Sequence, residues 1–161
     1  MIDPRLPVYA HILLCATLPR GQGERGGAYR ESMPKQIVKP AHLPDPSASR
    51  AYSHGVRVGN LLFLAGQTGH DAQTQPGVGR FEAQTRRTFE RMRLILEAAG
   101  GSLENLVTMT VFVTDIRYGD EFVRLRGELL KRDFPASALI GISQLAAPEA
   151  LIEIQAVAAL D

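Results

Sequence analysis

The segment Asn105 to Asp115 constrains the fold more than any other stretch of the chain. Val107, Met109, Val111 and Val113 alternate with Thr108, Thr110, Phe112 and Thr114. A period of two marks a strand, and β-branched and aromatic side chains suit a pleated surface. Both sets are fairly apolar or β-branched, so the spacing predicts a central strand covered on both faces.

Other elements assemble around it. Tyr52 to Val58 and Leu61 to Ala65 read as two strands, and Gly59-Asn60 between them is a tight-turn signal, so they form a hairpin. Gly66 to Gly79 reads as a polar loop. Phe81, Phe89, Met92, Leu96 and Ala99 recur at helical spacing, and Gly100-Gly101 supplies a stop, which predicts a helix over 81–99. A second helix is predicted over Tyr118 to Asp133, with Phe122, Leu125 and Leu129 inward and Phe134-Pro135 ending it. Ala136 to Ser143 and Leu151 to Ala158 complete the strands.

The order is β-β-α-β-α-β-β. Two helices on one face of a mixed sheet make a two-layer α+β domain. The other sheet face needs a cover, and in a chain of 161 residues a second subunit is the economical one. The domain is assigned to residues 33–161. Residues 1–32, ending in the glycine-rich stretch Pro19 to Gly27, read as a flexible extension, and Met33 as the natural start. Leu6 to Leu18 has the length of a signal-peptide apolar region. Its flank Met1 to Arg5 is barely basic, however, and no small-x-small cleavage site follows.

A formal net charge of +1 advertises no nucleic-acid surface. The single cysteine, Cys15, permits no disulfide within the chain, which points to a reducing cytoplasm. No apolar run approaches the roughly 20 residues that cross a bilayer. His11, His42, His54 and His70 are scattered, without metal-ligand spacing. There is no phosphate-binding G-x-x-x-x-G-K-[ST], no dinucleotide fingerprint and no G-x-S-x-G elbow. Arg86, Arg87, Arg91 and Arg93 share one predicted helix; the expected role is a solvated face paired with Glu82, Glu90 and Glu97.

From Met33 onward the motifs form an ordered set. Ala51 to Asn60 follows the pattern P-Y-S-x-G-V-x-x-G-N, and Leu61 to Gln67 the pattern L-V-F-V-S-G-Q. Leu96 to Gly100 reads as a helix ending in E-A-A-G, and Val107 to Asp115 as K-x-T-V-F-V-T-D. Phe134 to Ala136 and Leu151 to Gln155 match P-A-R-S and L-V-E-I-E. In this the chain resembles the RidA/YjgF family, whose members also carry the name endoribonuclease L-PSP.

That resemblance implies a chorismate mutase-like homotrimer with ligand clefts between subunits. It implies hydrolysis of small reactive enamines and imines, such as 2-aminoacrylate, to keto acids and ammonia, with no cofactor and no metal. In such chemistry a guanidinium grips the substrate carboxylate, a glutamate orients or deprotonates water, and main-chain groups near the second strand hold the nitrogen end.

The chain departs from the family pattern where that guanidinium belongs. Ser137 follows Pro135-Ala136 in place of the family arginine. Losing a charge-assisted bidentate pair from a desolvated site costs about a few kcal/mol, or roughly two orders of magnitude in rate. Weak or absent 2-aminoacrylate deamination is therefore expected. Ala65 replaces a frequent serine, His54 a common glutamine, and Arg126 stands at a pocket asparagine. Tyr52, Gly66 and Glu153 are retained.

The residues leave alternatives open. Glu153 is a catalytic base or a structural interface carboxylate. Tyr52 closes a pocket wall or packs the hairpin. Gly66 permits close backbone approach in either case. Arg126 rescues anion binding or makes an ordinary ion pair. Ser137 binds ligand or merely starts a strand, and His54 reads as a surface hairpin residue. The expected function is hydrolysis of an imine, enamine or related C–N bond in a small metabolite. The alternatives are a non-catalytic trimer that binds a small molecule or a protein, and, less favoured, an endoribonuclease.

Overall fold

The computed structural model describes residues 34–70 and 80–161. The expected extension 1–32 and residues 71–79 of the expected loop lie outside the described residues, as do His11 and Cys15. The described residues belong to the compact unit Met33–Asp161.

The elements run β1 (Gln36–Val38), α1 (Ser47–Arg50), β2 (Gly55–Val58), β3 (Leu61–Thr68), α2 (Arg80–Ala98), β4 (Leu106–Val113), α3 (Gly119–Leu130), β5 (Ala136–Gly141) and β6 (Ile152–Ala159). They form a single mixed sheet in the order β1-β2-β3-β6-β4-β5. β4 and β5 run parallel, with α3 as their crossover. All other neighbours are antiparallel. The two-layer α+β reading of the sequence holds.

The sheet has a helix face and an open face. Leu62 and Leu64 on β3, Met109, Val111 and Val113 on β4, and Ile152 and Ile154 on β6 are almost fully buried. They meet Phe89, Met92, Ile95 and Leu96 of α2 and Phe122 and Leu125 of α3. This is the core: an alternating strand face against the apolar stripes of two amphipathic helices. No helix among the described residues is long and apolar enough to cross a membrane.

Several elements differ from the sequence reading. β1 and the short α1 were not expected from the proline-bearing lead-in; β1 extends the sheet by pairing Ile37 with Val56. β3 runs through Gly66 to Thr68, so Gly66 lies in a strand and not in a loop. α3 stops at Leu130, before Phe134-Pro135. Lys131 there adopts φ 65°, and the Arg132 N–H donates to the Leu130 carbonyl at 2.8 Å, a tight γ-turn that ends the helix. β4 lies next to the edge strand β5 and is covered by helices on one face only. Its pairing with β6 shifts between Leu106 and Thr108, and the extra residue Val107 is pushed out to 51% exposure, off the Met109 face.

The arginines of α2 behave as a solvated, paired face. Arg86 contacts Glu82 at 2.8 Å and Glu128 at 2.6 Å, and Arg124 contacts Glu82 at 2.9 Å and Glu128 at 2.6 Å. These four close a ring of alternating charge between α2 and α3. Arg93 pairs with Glu90 and Glu97.

Ile154 is completely buried at the centre of β6. Ile154→Ala is expected to lower unfolding stability by about 2–5 kcal/mol. Val123→Ala, at an exposed site, should stay within about 0.5 kcal/mol. Urea denaturation of the two variants checks the assignment.

Candidate functional site

The pairing registers place each candidate residue. On the open face, Thr68 of β3 stands opposite Glu153 of β6, Glu153 opposite Phe112 of β4, and Phe112 beside Ile140 of β5. Glu153 therefore lies in a cross-strand row that spans four strands, among one hydroxyl and two large apolar side chains. It is half-buried, and among the described residues it has no hydrogen-bond or ion-pair partner. That desolvation, with nothing to offset it, pushes the Glu153 carboxyl above the ordinary glutamate value.

Gly66 is brought directly against Glu153. β3 carries an irregularity between Leu64, which pairs with Ala156, and Gln67, which pairs with Ile154. Two residues, Ala65 and Gly66, here oppose the single residue Gln155. A Cβ added at Gly66 would sit 2.1 Å from Glu153 Oε1 and 2.8 Å from Cδ. Only a glycine leaves room for the carboxylate, which rests on the bare backbone of the bulge.

Tyr52 approaches the same end of the sheet from β2. The Ala65 N–H donates to the His54 carbonyl at 2.9 Å, so the chain leading into β2 still runs beside β3 at the bulge. Tyr52 lies two residues earlier, 43% exposed, its ring edge-on to His54 at 6.2 Å. His54 is no surface residue. It is 4% exposed, with Nε2 bonded to the Pro44 carbonyl at 2.9 Å, which requires the proton on Nε2. Its Nδ1 is buried without a partner.

Ser137 is not brought to Glu153. It pairs with Met109, which pairs with Ala156, a row that belongs to the helix face. Glu153 belongs to the opposite face, three rows away along β6. Ser137 is exposed, because β5 is the edge strand. The Ile142 N–H donates to the Val113 carbonyl at 2.9 Å. Alternate residues of a strand face the same neighbour, so Ser137 turns its own N–H outward, to the free edge.

Arg126 is placed by the ion-pair ring. Arg124 and Glu128 face α2 through the ion-pair ring, and each is two residues, or about 200° of helix rotation, from Arg126. Arg126 thus lies on the flank of α3 turned away from α2. Its guanidinium carbon sits 5.5 Å from the centre of the Phe122 ring, a cation–π contact. It has no ion-pair partner among the described residues.

A groove of about 370 Å³ lies elsewhere, between the C-terminal ends of α2 and α3, with Glu97, Ser102, Lys131 and Pro135 in its wall. Glu153 is not part of it, and Arg93 on its rim is already paired with Glu90 and Glu97. The chemistry collects around Glu153 instead, where a desolvated carboxylate has no partner. Among the described residues no group of three His, Cys, Asp or Glu side chains is placed to hold a metal.

The sequence reading passed over Gln67. Its side chain is buried, donating to the Ala65 carbonyl at 3.1 Å and the Gly66 carbonyl at 3.2 Å. The available signal was a polar residue where an apolar strand meets its glycine.

Comparison with known proteins agrees with this architecture. The family profile described as endoribonuclease L-PSP matches residues 43–160. A RutC family protein of Pyrococcus abyssi is 33% identical over 127 residues, spanning 78% of this chain and 98% of that protein. A 2-iminobutanoate/2-iminopropanoate deaminase of Dermatophagoides farinae is 26% identical over 80% of this chain and 98% of its own length. The crystal structure of a Mycobacterium tuberculosis member of the YjgF family superposes with a TM-score of 0.66 at 28% identity, covering 79% of this chain and all of that one.

The raised Glu153 pKa carries a stability signature. The folded value lies above the unfolded one, so the folded chain keeps a proton that the unfolded chain has already released. Stability is complete below the unfolded value and falls as pH rises through the folded one. Glu153→Gln removes the ionisation. The variant should melt at a higher temperature than the parent at neutral pH, and the difference should vanish below about pH 4. Melting curves across pH check this; a parent–variant gap independent of pH counts against a desolvated carboxylate.

Proposed function

The chain belongs to the endoribonuclease L-PSP (RidA/YjgF) family, and from that membership and the Glu153–Gly66 pair we propose that it hydrolyses the C=N bond of a small imine, or of the imine tautomer of an enamine. The observation that carries the reading is the half-buried carboxylate that has no hydrogen-bond or ion-pair partner among the described residues and is seated on a glycine backbone. A carboxyl whose pKa is pushed upward is a better proton acceptor at neutral pH than an ordinary surface glutamate.

The chemistry balances with water alone. The Glu153 carboxylate takes a proton from water as its oxygen bonds to the imine carbon, and the C=N electron pair moves to nitrogen, giving a carbinolamine. Protonated Glu153 returns its proton to the nitrogen; the carbinolamine hydroxyl then passes its proton, through the same carboxylate, to the departing nitrogen as the C–N bond breaks with its electron pair leaving on ammonia, and the carbonyl product remains. The Ala65 carbonyl is held by the Gln67 amide, so the Gly66 N–H, trans to it, points away toward the Glu153 side. It is suited to hold the nitrogen end. Tyr52 forms a wall at the same end of β3.

One chain leaves this site open to solvent. Ile37, Val56, Phe63, Val157, Thr108 and Ala136 form an unbroken cross-strand row over all six strands of the open face. Ile37 and Phe63 within it are 42% and 46% exposed. A surface of this kind favours burial against other copies of the chain, and the homotrimer of the resemblance supplies it. Ser137 and Glu153 cannot meet within one chain, so a ligand that touches both spans two copies.

The substrate depends less on a carboxylate than 2-aminoacrylate does. Ser137 offers an N–H and a hydroxyl in place of a guanidinium, and Arg126, on the same edge, is the nearest available cation on α3. A non-catalytic ligand-binding trimer is the second reading, favoured by the serine itself.

Purified protein added to imines generated by an amino acid oxidase should lower their trapping as semicarbazones, and Glu153→Gln should cut the effect about 100-fold or more. No effect on any imine sinks the proposal. Ser137→Arg should raise turnover of carboxylate-bearing imines by about one to two orders of magnitude, and leave imines without an acid group unchanged.

A further inference from the structure

Gln67 is 1% exposed, on the helix face of a strand whose neighbours there are Leu64 and Ile154. An apolar side chain of similar size would suit that position, so the amide must serve something polar. Its Nε2 donates to the carbonyls of Ala65 and Gly66, at 3.1 and 3.2 Å, and its Oε1 accepts from Arg91 Nε of α2 at 3.4 Å. Ala65 and Gly66 are the two residues of β3 without a register partner on β6. Carbonyls turned into a dry core without a donor are costly, and the Gln67 amide supplies donors to both.

We propose that Gln67, steadied by Arg91, is a positioning residue for Glu153, holding the bulge backbone at the height on which the carboxylate rests. The linkage is short and continuous. The amide fixes the Ala65 and Gly66 carbonyls on the helix side. That fixes Gly66 against the Glu153 side chain, where even a methyl group would be 2.1 Å from Oε1. Any shift of the bulge toward the open face would push the carboxylate outward, and a collapse away from it would let water in beneath. Either way Glu153 gains solvent. Strict alternation after Leu64 would have turned Gln67 to the open face; the extra residue of the bulge turns it inward.

The role rests on the proposed use of Glu153, but its test needs no substrate. The Glu153 carboxyl carbon is followed by NMR through a pH titration of the full-length, uniformly labelled protein, with Glu153→Gln identifying the resonance. In Gln67→Met, which keeps the length and loses the donors, the midpoint should fall toward the ordinary glutamate range by about half a unit or more. The amide of Gly66 should also exchange faster. Leu125→Ala, a core change on α3 and on neither of the strands that carry the bulge and Glu153, serves as the control, with an unmoved midpoint at a comparable loss of melting temperature. A folded Gln67→Met whose Glu153 titrates as in the parent overturns the role. Should Gln67→Met not fold, Arg91→Met takes its place: a smaller shift in the same direction supports the role, and none overturns it. Loss of the imine-hydrolase reading would leave a displaced titration standing, and an unmoved titration would leave hydrolysis standing, so the two failures are distinguishable.

Discussion

One extra residue in β3 sets the geometry on which the candidate site depends. Up to Leu64 the strand alternates regularly, with Leu62 and Leu64 beneath the helices and Leu61 and Phe63 on the open face. The bulge at Ala65–Gly66 then reverses the order, so that Gln67 is buried and Thr68 shares the open face with Glu153. A side-chain period of two makes any single insertion a change of face for all that follows. Here the insertion falls on a glycine, and the space that a side chain would have filled is occupied by a carboxylate. Deleting Gly66 would leave Gln67 paired with Ile154 on the helix face, and would take away the bare backbone on which the Glu153 carboxylate settles.

That arrangement explains how a carboxylate can be desolvated without a deep pocket. Glu153 is not enclosed by the described residues; it lies on a sheet face flanked by Phe112, Thr68 and the bulge. Apolar neighbours exclude water laterally, and the absence of a side chain at Gly66 lets the carboxylate settle against the backbone. The upward displacement of its pKa thus belongs to the chain itself. Covering the open face with another copy would deepen the desolvation, since it would remove the side from which water still reaches the group.

Much of this was legible in the residues, and the failures have identifiable causes. The α2 helix, the strands and the two-layer plan follow from periodicities that tertiary packing had no reason to override. β1 was hidden because three residues are too few to show a period, and because Pro40 lies two residues beyond its end. The extent of α3 was misread because the break at Lys131 uses a positive φ at a non-glycine residue, which leaves no mark in composition. Val107 was placed on the wrong face because a bulge cannot be seen in a strand whose both faces are apolar. At the site, Glu153 and Gly66 were recognised through a family pattern, and their direct contact adds a physical reason for the pair. Register puts Ser137 and Glu153 on opposite faces of one sheet, so the cleft between subunits that the resemblance implies could bring them together only from two copies of the chain. Sequence order contains no such information; it requires the strand pairing.

The distribution of cations bears on what a ligand can use. Arg86, Arg124 and Arg93 are held by Glu82, Glu128, Glu90 and Glu97, and in such ion pairs their charge is largely cancelled at a short distance. These paired arginines therefore offer little free charge to a phosphate backbone. Arg126 differs, since its described contact is with a ring and not with a carboxylate. A cation–π contact leaves the guanidinium donors unspent, whereas an ion pair consumes them. In the function proposed above, its flank of α3 and the outward N–H of Ser137 both serve a ligand at the free edge of β5. An acid group arriving there would meet donors from a helix and a strand, not one rigid fork. Such a grip is looser than a bidentate pair, and it tolerates a wider range of ligand shapes. On the function proposed above, the serine at position 137 changes which substrates can be held and is not the plain loss of a binding site.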